Sequence, residues 1–186
     1  MMKIMVINGG PRAVSRTRGL ALKAKELLQQ HNIEISYFDC GTDQLPLYNG
    51  EESQREHPVV KKLSDEAKEA DGFFICTPEY HSGMSGALKN AFDFLGGDHF
   101  SKKPVAIAAA AGGGKGGINA LSNLRTVIRG VYGLVIPEQF VADPICFNES
   151  KEIEDEGTIA RIDVIVKSLI EYVQLLTVQK ENKKLG

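Results

Sequence analysis

Residues 3–18, K-I-M-V-I-N-G-G-P-R-A-V-S-R-T-R, pass from an apolar run through a glycine turn into the start of a helix. The run Ile4–Ile7 contains no polar residue, which is typical of a strand buried on both faces of a sheet. Apolar residues at helical spacing follow in residues 17–30. A buried strand, a glycine turn and a helix in this order predict the first unit of a parallel α/β sheet.

The same alternation continues along the chain. It predicts further strands at residues 33–38, 72–76, 105–107 and 134–136, and helices at residues 17–30, 58–70, 84–95, 117–131 and, along an apolar stripe, 162–176. Right-handed crossovers between such strands produce an open sheet with helices on both faces. We therefore predict a single α/β domain over residues 1–186, a flavodoxin-like three-layer sandwich whose five-stranded parallel sheet has the order 2-1-3-4-5.

The composition excludes several classes of partner. The 186 residues include 22 Lys and Arg and 24 Asp and Glu, a formal net charge of −2, so neither nucleic acid nor a membrane surface is expected to bind. The longest apolar run, residues 105–111, is shorter than the ~18 residues of a membrane span, and we predict a cytoplasmic protein. Cys40, Cys76 and Cys146 form no C-x-x-C motif, which argues against a disulfide framework and a metal site.

Glycine concentrates in three of the predicted turns. In open α/β sheets, ligands bind beyond the carboxyl ends of the strands, near the point where the strand order reverses. The turns after strands 1, 3 and 4 meet there, and their glycines allow the backbone to approach a ligand closely. These glycines are Gly9, Gly10, Gly83, Gly86, Gly112, Gly113, Gly114, Gly116 and Gly117. The pattern predicts one ligand that spans three loops.

The first turn has the features of an anion site. It leads into a helix N-terminus, where free backbone N–H groups and the helix dipole attract phosphate. Ser15 and Thr17 add hydroxyl groups, and Arg12, Arg16 and Arg18 add guanidinium groups that can bind a phosphate monoester bidentately. The alternative is a simple helix cap with solvated arginines, which does not require three cations so close together.

The second turn follows strand 3 as an exposed polar platform after Pro78. Glu79 and His81 could form an acid–base pair, but Tyr80 and His81 serve equally well as hydrogen-bonding walls of a pocket. The third turn, residues 111–117, formally satisfies G-x-G-x-x-G but lies after the fourth strand and lacks the Ser or Thr of a Walker loop. It is either a flexible turn or a wall of backbone N–H groups against a ring edge.

These motifs together resemble a known family. They are G-G-P-R-A-V-S-R-T-R at 9–18, L-P-L-Y-N-G at 45–50, T-P-E-Y-H-S-G-M-S-G-A-L-K-N-A-F-D-F-L at 77–95 and G-G-G-K-G-G at 112–117. The chain is similar to the NAD(P)H-dependent FMN reductase family over residues 3–137, and within it to the FMN-dependent azobenzene reductases. The resemblance implies a flavodoxin-like fold, bound FMN, NADPH or NADH as co-substrate, and a homodimer or homotetramer with flavin sites near subunit contacts.

The resemblance also implies site residues. The FMN phosphate would contact the first turn, and the isoalloxazine would lie between the second and third turns. The corresponding residues are Gly10, Pro11, Arg12, Ser15, Arg16, Thr17 and Arg18 for the phosphate, and Pro78, Glu79, Tyr80, His81, Ser82, Gly83, Gly112, Gly113, Lys115, Gly116 and Gly117 for the ring. No side chain is expected to be catalytic, because the flavin N5 carries the chemistry. Lys115 is expected to stabilise negative charge at the N1/O2 edge of the flavin.

By this resemblance the reaction is ping-pong hydride transfer from NAD(P)H to FMN, followed by two-electron reduction of a small-molecule acceptor such as an azo compound, a quinone or free flavin. A flavodoxin-type electron carrier without small-molecule turnover is the alternative, and a flavin-free binding module on the same fold is a third. Subunit contacts are hypothesised at Phe92, Phe94, Arg125 and Arg129, with core packing of Phe92 and solvated arginines as the alternative. Residues 39–57 are interpreted as a surface flap. His31, His57 and His99 are predicted to be surface histidines.

Overall fold

A computed structural model describes residues 1–113 and 116–182, with side chains described to residue 177. Its strands are β1 (Lys3–Asn8), β2 (Glu34–Asp39), β3 (Gly72–Pro78), β4 (Pro104–Ala110) and β5 (Leu134–Ala142). Its helices are α1 (Arg16–Gln29), α2 (Pro58–Glu69), α3 (Gly86–Asp93), α4 (Gly97–Phe100), α5 (Ile118–Gly130) and α6 (Glu156–Asn182). Across these described segments, no helix is both long enough and apolar enough to pass through a bilayer.

The strands form one five-stranded sheet in the order β2-β1-β3-β4-β5, and all neighbouring strands are parallel. The predicted fold class and strand order are therefore confirmed. Helices α1 and α6 pack on one face of the sheet, against alternate strand residues such as Val6 and Phe74. Helices α2, α3 and α5 pack on the other face, against Ile7 and Phe73. Since β1, β3 and β4 lie between these two layers, their side chains are buried on both sides, as their continuous apolar runs indicate.

Strand β5 is longer than the predicted 134–136 because it continues through Pro137. Proline lacks the N–H that a central strand requires, but β5 is an edge strand and tolerates it. The ladder shifts register here, since Val105 pairs with Val135 whereas Ile107 pairs with Gln139. Arg125 donates from Nη2 to the carbonyl of Pro137 at 3.1 Å and to Gln139 Oε1 at 2.9 Å, which binds the irregular segment to α5.

The segment 39–57 is held against α3. The Asn90 side chain donates to the Pro46 carbonyl and accepts from the Tyr48 N–H, both at 2.9 Å. The Tyr48 ring also meets Phe94 edge-on, with centroids 5.1 Å apart. Within the chain, Phe94 therefore packs against this segment. The predicted helix over 84–95 is in fact the shorter α3, followed by the separate α4.

Phe92, hypothesised at a subunit contact, and His99, predicted at the surface, are both buried within the domain. Phe92 belongs to the core and packs against Phe100, with ring centroids 5.5 Å apart. The prediction of a surface His99 is wrong, because the ring is buried, accepts from the Gly96 N–H through Nδ1 and contacts Ser64 Oγ through Nε2, each at 3.0 Å. Burial lowers the pKa of His99.

Candidate functional site

The predicted site lies at the carboxyl edge of the sheet, where β1, β3 and β4 end side by side. The Gly9 N–H donates to the Cys76 carbonyl at 2.8 Å, and the Gly9 carbonyl accepts from the buried hydroxyl of Ser85. Ser85 also caps α3, accepting from the Leu88 N–H at 3.0 Å. A Cβ on Gly9 would lie 2.8 Å from the Cys76 carbonyl, so only glycine allows the first turn to approach β3 this closely.

The first turn ends at α1, whose N-terminus points to the loop. Ser15 is the N-cap, and its Oγ accepts from the Arg18 N–H at 3.1 Å, which leaves the N–H groups of Arg16 and Thr17 without a partner in the helix. The Arg16 Nε is buried and has no hydrogen-bond partner among the described residues. Arg12 is exposed and lies over the Tyr80 ring, 5.7 Å from its centroid. An anion at this helix end would satisfy the Arg16 side chain.

Besides the N-cap Ser15, two residues predicted to contact the phosphate already have partners within the chain. Arg18 binds Asp39 bidentately, with Nε 2.7 Å from Oδ2 and Nη2 2.8 Å from Oδ1. The Gly10 N–H donates to Asn8 Oδ1 at 3.0 Å. These contacts place the Arg18 guanidinium at the end of β2 and make Arg18 a structural cation. The sequence does not reveal this, since Arg18 and Asp39 meet only because β2 lies beside β1.

The second turn presents an exposed two-residue hairpin. Tyr80 and Gly83 exchange backbone hydrogen bonds at 2.9 and 3.0 Å. His81 and Ser82 between them both have left-handed backbones, with φ of 49° and 63°, and both are exposed. Left-handed residues in such a turn match the twist of a hairpin, although side chains other than Gly, Asn and Asp adopt them at a cost. The turn therefore holds the polar platform predicted after Pro78 in one shape.

Glu79 connects the second turn to the third. Its Oε2 accepts from the N–H groups of Gly117 at 2.8 Å and Ala120 at 3.0 Å, at the start of α5. A carboxylate at a helix N-terminus satisfies free N–H groups and interacts favourably with the helix dipole. Because this carboxylate is engaged as a cap, the structure does not favour the alternative that pairs Glu79 with His81 for acid–base chemistry.

The third turn is open on one side. A Cβ at either Gly112 or Gly113 would meet no atom of the described residues within 4 Å. Gly116 donates its N–H to the Gly113 carbonyl at 2.9 Å. Gly117 has a φ of 95°, and a Cβ there would lie 2.6 Å from a Val141 methyl, so the turn into α5 requires glycine. Gly114 and Lys115, and with them the predicted charge at the flavin edge, lie outside the described residues.

Comparison with known proteins identifies the family of this chain. The family model of NADPH-dependent FMN reductases matches residues 2–145. The chain belongs to this family. An NADPH azoreductase of Bacillus sp. (strain OY1-2) is 48% identical over 98% of this chain and 97% of its own length. An FMN-dependent NADPH-azoreductase of Staphylococcus aureus (strain USA300) is 31% identical over 92% of this chain and 95% of its own.

Solved structures of related fold are also similar to this reductase-family chain. FerB, a flavoenzyme NAD(P)H:(acceptor) oxidoreductase from Paracoccus denitrificans, superposes with a TM-score of 0.76 at 21% identity, covering 94% of this chain and 98% of its own. A flavodoxin from the domain Archaea superposes with a TM-score of 0.64 at 14% identity, covering 94% of this chain and 99% of its own. At these identities the two structures show the fold alone.

Sequence reasoning missed the residues that support the turns. Asn8, Asp39, Gly41 and Ser85 hold the loops together but were not singled out. Asn8 carried a usable signal, because it is a polar residue that ends a buried apolar strand directly before a glycine turn. A buried polar group needs partners, and Asn8 finds them in Gly10, two residues along the chain, and in Asp39 on the neighbouring strand.

Proposed function

We propose that this chain is an FMN-dependent NAD(P)H oxidoreductase that reduces small-molecule acceptors, with azo compounds, quinones and free flavin as candidates. One observation carries the proposal. A helix N-terminus with the buried, unpartnered Arg16 Nε, among the described residues, lies at the same sheet edge as an exposed hairpin and an open glycine turn. Membership of the family and the activities for which the two azoreductase relatives are named support the same conclusion.

The described residues fit FMN in two parts. The N–H groups of Arg16 and Thr17 and the Arg16 side chain would hold the phosphate, because they provide positive charge and donors that lack partners in the helix. The segment 78–83 and the glycines at 112, 113, 116 and 117 would hold the ring. The exposed platform at His81 and Ser82 and the open space at Gly112 and Gly113 leave room for a planar group.

When bound, FMN supplies a ring that takes a hydride from NAD(P)H and passes two electrons to an acceptor. The protein orients that ring and leaves one side accessible. His81, Ser82, Gly112 and Gly113 are all exposed, so a nicotinamide or an acceptor can reach this edge from solvent. The Glu79 carboxylate fixes the spacing between the two turns by capping α5. No general acid or base is required of the chain in this scheme.

The test is an absorption spectrum of the purified protein, followed by anaerobic addition of NADPH in the same cuvette. We expect the bands of bound flavin, and we expect them to bleach. Bound flavin that stays oxidised would favour the electron-carrier alternative. Protein without flavin, even after incubation with added FMN, would refute the proposal.

We also propose a homo-oligomer, a dimer or a tetramer, in the cytoplasm. Exposed apolar side chains follow four of the strands at the carboxyl edge, namely Val14, Leu47, Ile118 and Ile145, the last 91% exposed. Exposed apolar surface next to a binding site favours a subunit contact. Cys40, Cys76 and Cys146 are free thiols, which is typical of a reducing compartment. Sedimentation equilibrium at micromolar concentration tests the assembly, and a monomer there would contradict it.

A further inference from the structure

The Asp39 carboxylate at the end of β2 is a convergence point for donors from three parts of the chain. Its side chain is 5% exposed. It accepts from Arg18 Nε at 2.7 Å and Nη2 at 2.8 Å, from the Gly41 N–H at 2.8 Å, and from Asn8 Nδ2 at 2.9 Å. The Tyr37 hydroxyl, on the same strand as Asp39, also donates to Oδ2 at 3.1 Å. Asn8 ends β1, Arg18 is the third residue of α1, and Gly41 follows β2. The carboxylate therefore joins the three elements that surround the first turn.

Asp39 determines which way the Asn8 amide faces. An ionised carboxylate can only accept hydrogen bonds, so the NH₂ end of the amide must face Asp39. The oxygen end then faces the Gly10 N–H, which can only donate, at 3.0 Å. A flipped amide would oppose oxygen to carboxylate and NH₂ to N–H. The two neighbours consequently allow a single orientation of the buried Asn8 side chain.

In this orientation Asn8 holds Gly10 at both its polar atoms. The Gly10 N–H donates to Asn8 Oδ1, and the Gly10 carbonyl accepts from Asn8 Nδ2 at 3.3 Å. The turn after β2 closes on the same residue, since a Cβ on Gly41 would lie 3.1 Å from the Gly10 carbonyl and 2.8 Å from Arg18 Nη2. Gly10 begins the turn that leads to the N-terminus of α1, so its conformation sets where the following residues lie.

Electrostatic attraction for the phosphate does not explain why the Asp39 carboxylate lies next to the proposed phosphate site. Burial by itself would raise the pKa of Asp39, but the hydrogen bonds from Arg18, Gly41 and Asn8 outweigh burial and hold the pKa below its usual value. The group is therefore ionised at neutral pH, and its charge repels phosphate except where Arg18 compensates it. A geometric role accounts for its position.

We propose that Asp39, acting through Asn8, is a positioning residue that holds the first turn in the shape that binds the phosphate of the cofactor. This inference rests on the proposed function. It assigns the affinity for the phosphate in part to a buried amide and carboxylate that do not touch the cofactor. It also predicts an effect confined to the phosphate end, because the ring is held by the turns after β3 and β4.

The experiment compares dissociation constants of FMN and riboflavin, which differ by the phosphate, for the apoprotein and its variants. We expect Asp39→Ala and Asn8→Ala each to weaken FMN binding by about tenfold or more and riboflavin binding by less than about threefold. In the Asn8→Ala background, Asp39→Ala should weaken FMN binding by less than about threefold, since the two residues act in series. Asp43→Ala is the matched control, because Asp43 is a nearby carboxylate that accepts from the Asp39 N–H at 3.0 Å and pairs with Lys62. Its ratio of FMN affinity to riboflavin affinity should equal that of the wild type.

Three results would overturn the inference. One is an unchanged ratio of FMN affinity to riboflavin affinity in Asn8→Ala. This variant also tests the inference if Asp39→Ala does not fold. Another is additive effects in the double variant. The third is tighter FMN binding by Asp39→Ala, which would show that the repulsion between the Asp39 charge and the phosphate has a larger effect than the positioning of the first turn. Wild-type protein that binds neither flavin would overturn the proposed function and this inference together, whereas wild-type binding with an unchanged ratio overturns this inference alone.

Discussion

Replacing Glu79 tests the connection between the second and third turns. Glu79→Ala removes the oxygen that accepts from Gly117 at 2.8 Å and from Ala120 at 3.0 Å. A hydrogen bond to a charged group contributes about 1.5–3 kcal/mol, and loss of an N-terminal cap costs about 0.5–2 kcal/mol. Glu79 is only half-buried, so water can replace part of the lost bonding. We therefore expect unfolding to become easier by about 2 kcal/mol, and Tm to fall by roughly 4–8 °C in a domain of this size.

The assay is thermal unfolding of the apoprotein, followed by circular dichroism. Glu79→Gln separates charge from bonding, because one oxygen accepts both hydrogen bonds and an amide oxygen can take its place. Its Tm should fall by less than half as much as that of Glu79→Ala. Glu154→Ala, which removes an exposed carboxylate before α6, is the matched control and should melt with the wild type. If Glu79→Ala also melts within about a degree of the wild type, the cap does not stabilise the fold as argued.

Three further predictions concern the first turn and its support. Arg16→Met should weaken FMN binding by about tenfold or more and leave riboflavin binding nearly unchanged, because it removes the guanidinium at the helix N-terminus; equal losses for both flavins by fluorescence titration would contradict the assignment. Gly41→Ala should lower stability by about 1–3 kcal/mol in urea unfolding, since its Cβ would lie 2.8 Å from Arg18 Nη2, which Asp39 holds in place, and 3.1 Å from the Gly10 carbonyl. Gly130→Ala in α5 meets nothing within 4 Å among the described residues and should not lower stability. Because the pKa of Asp39 is lower in the folded protein than in the unfolded chain, the ionised carboxylate stabilises the fold at pH values above its unfolded pKa. The Tm difference between wild type and Asp39→Asn should therefore be largest near neutral pH and shrink as the pH falls below about 4. A Tm difference that does not depend on pH would refute the ion pair with Arg18.

The fold was accessible to sequence reasoning because its determinants are local. Continuous apolar runs such as Ile4–Ile7 predict strands buried on both faces, and the helical spacing between them predicts crossovers. The order of elements and the handedness of crossovers then restrict the sheet to few topologies. The carboxyl edge follows from that topology, so the sequence also indicates that the glycine turns and the arginines of the first turn lie at this edge.

Boundaries and partners were less accessible. The predicted fifth strand covers residues 134–136, whereas β5 continues through Pro137, which only its position at the edge of the sheet explains. His99 was predicted at the surface because its neighbours in sequence are polar, but Ser64 and Gly96 enclose it. Propensity and pattern describe a residue's own segment, and burial depends on which distant segment packs against it.

The class of fold, the family and the edge at which we propose that the cofactor binds could all be predicted from the sequence, because strand patterns, helix patterns and short motifs are formed by neighbouring residues. Tertiary structure alone decided the roles of Arg18, Asp39 and Glu79. Arg18 bonds across 21 positions to Asp39, and Glu79 bonds across 38 positions to Gly117. A charged group pairs with whatever lies within hydrogen-bond distance in space, and that is known only when the elements that carry the two groups are placed relative to each other.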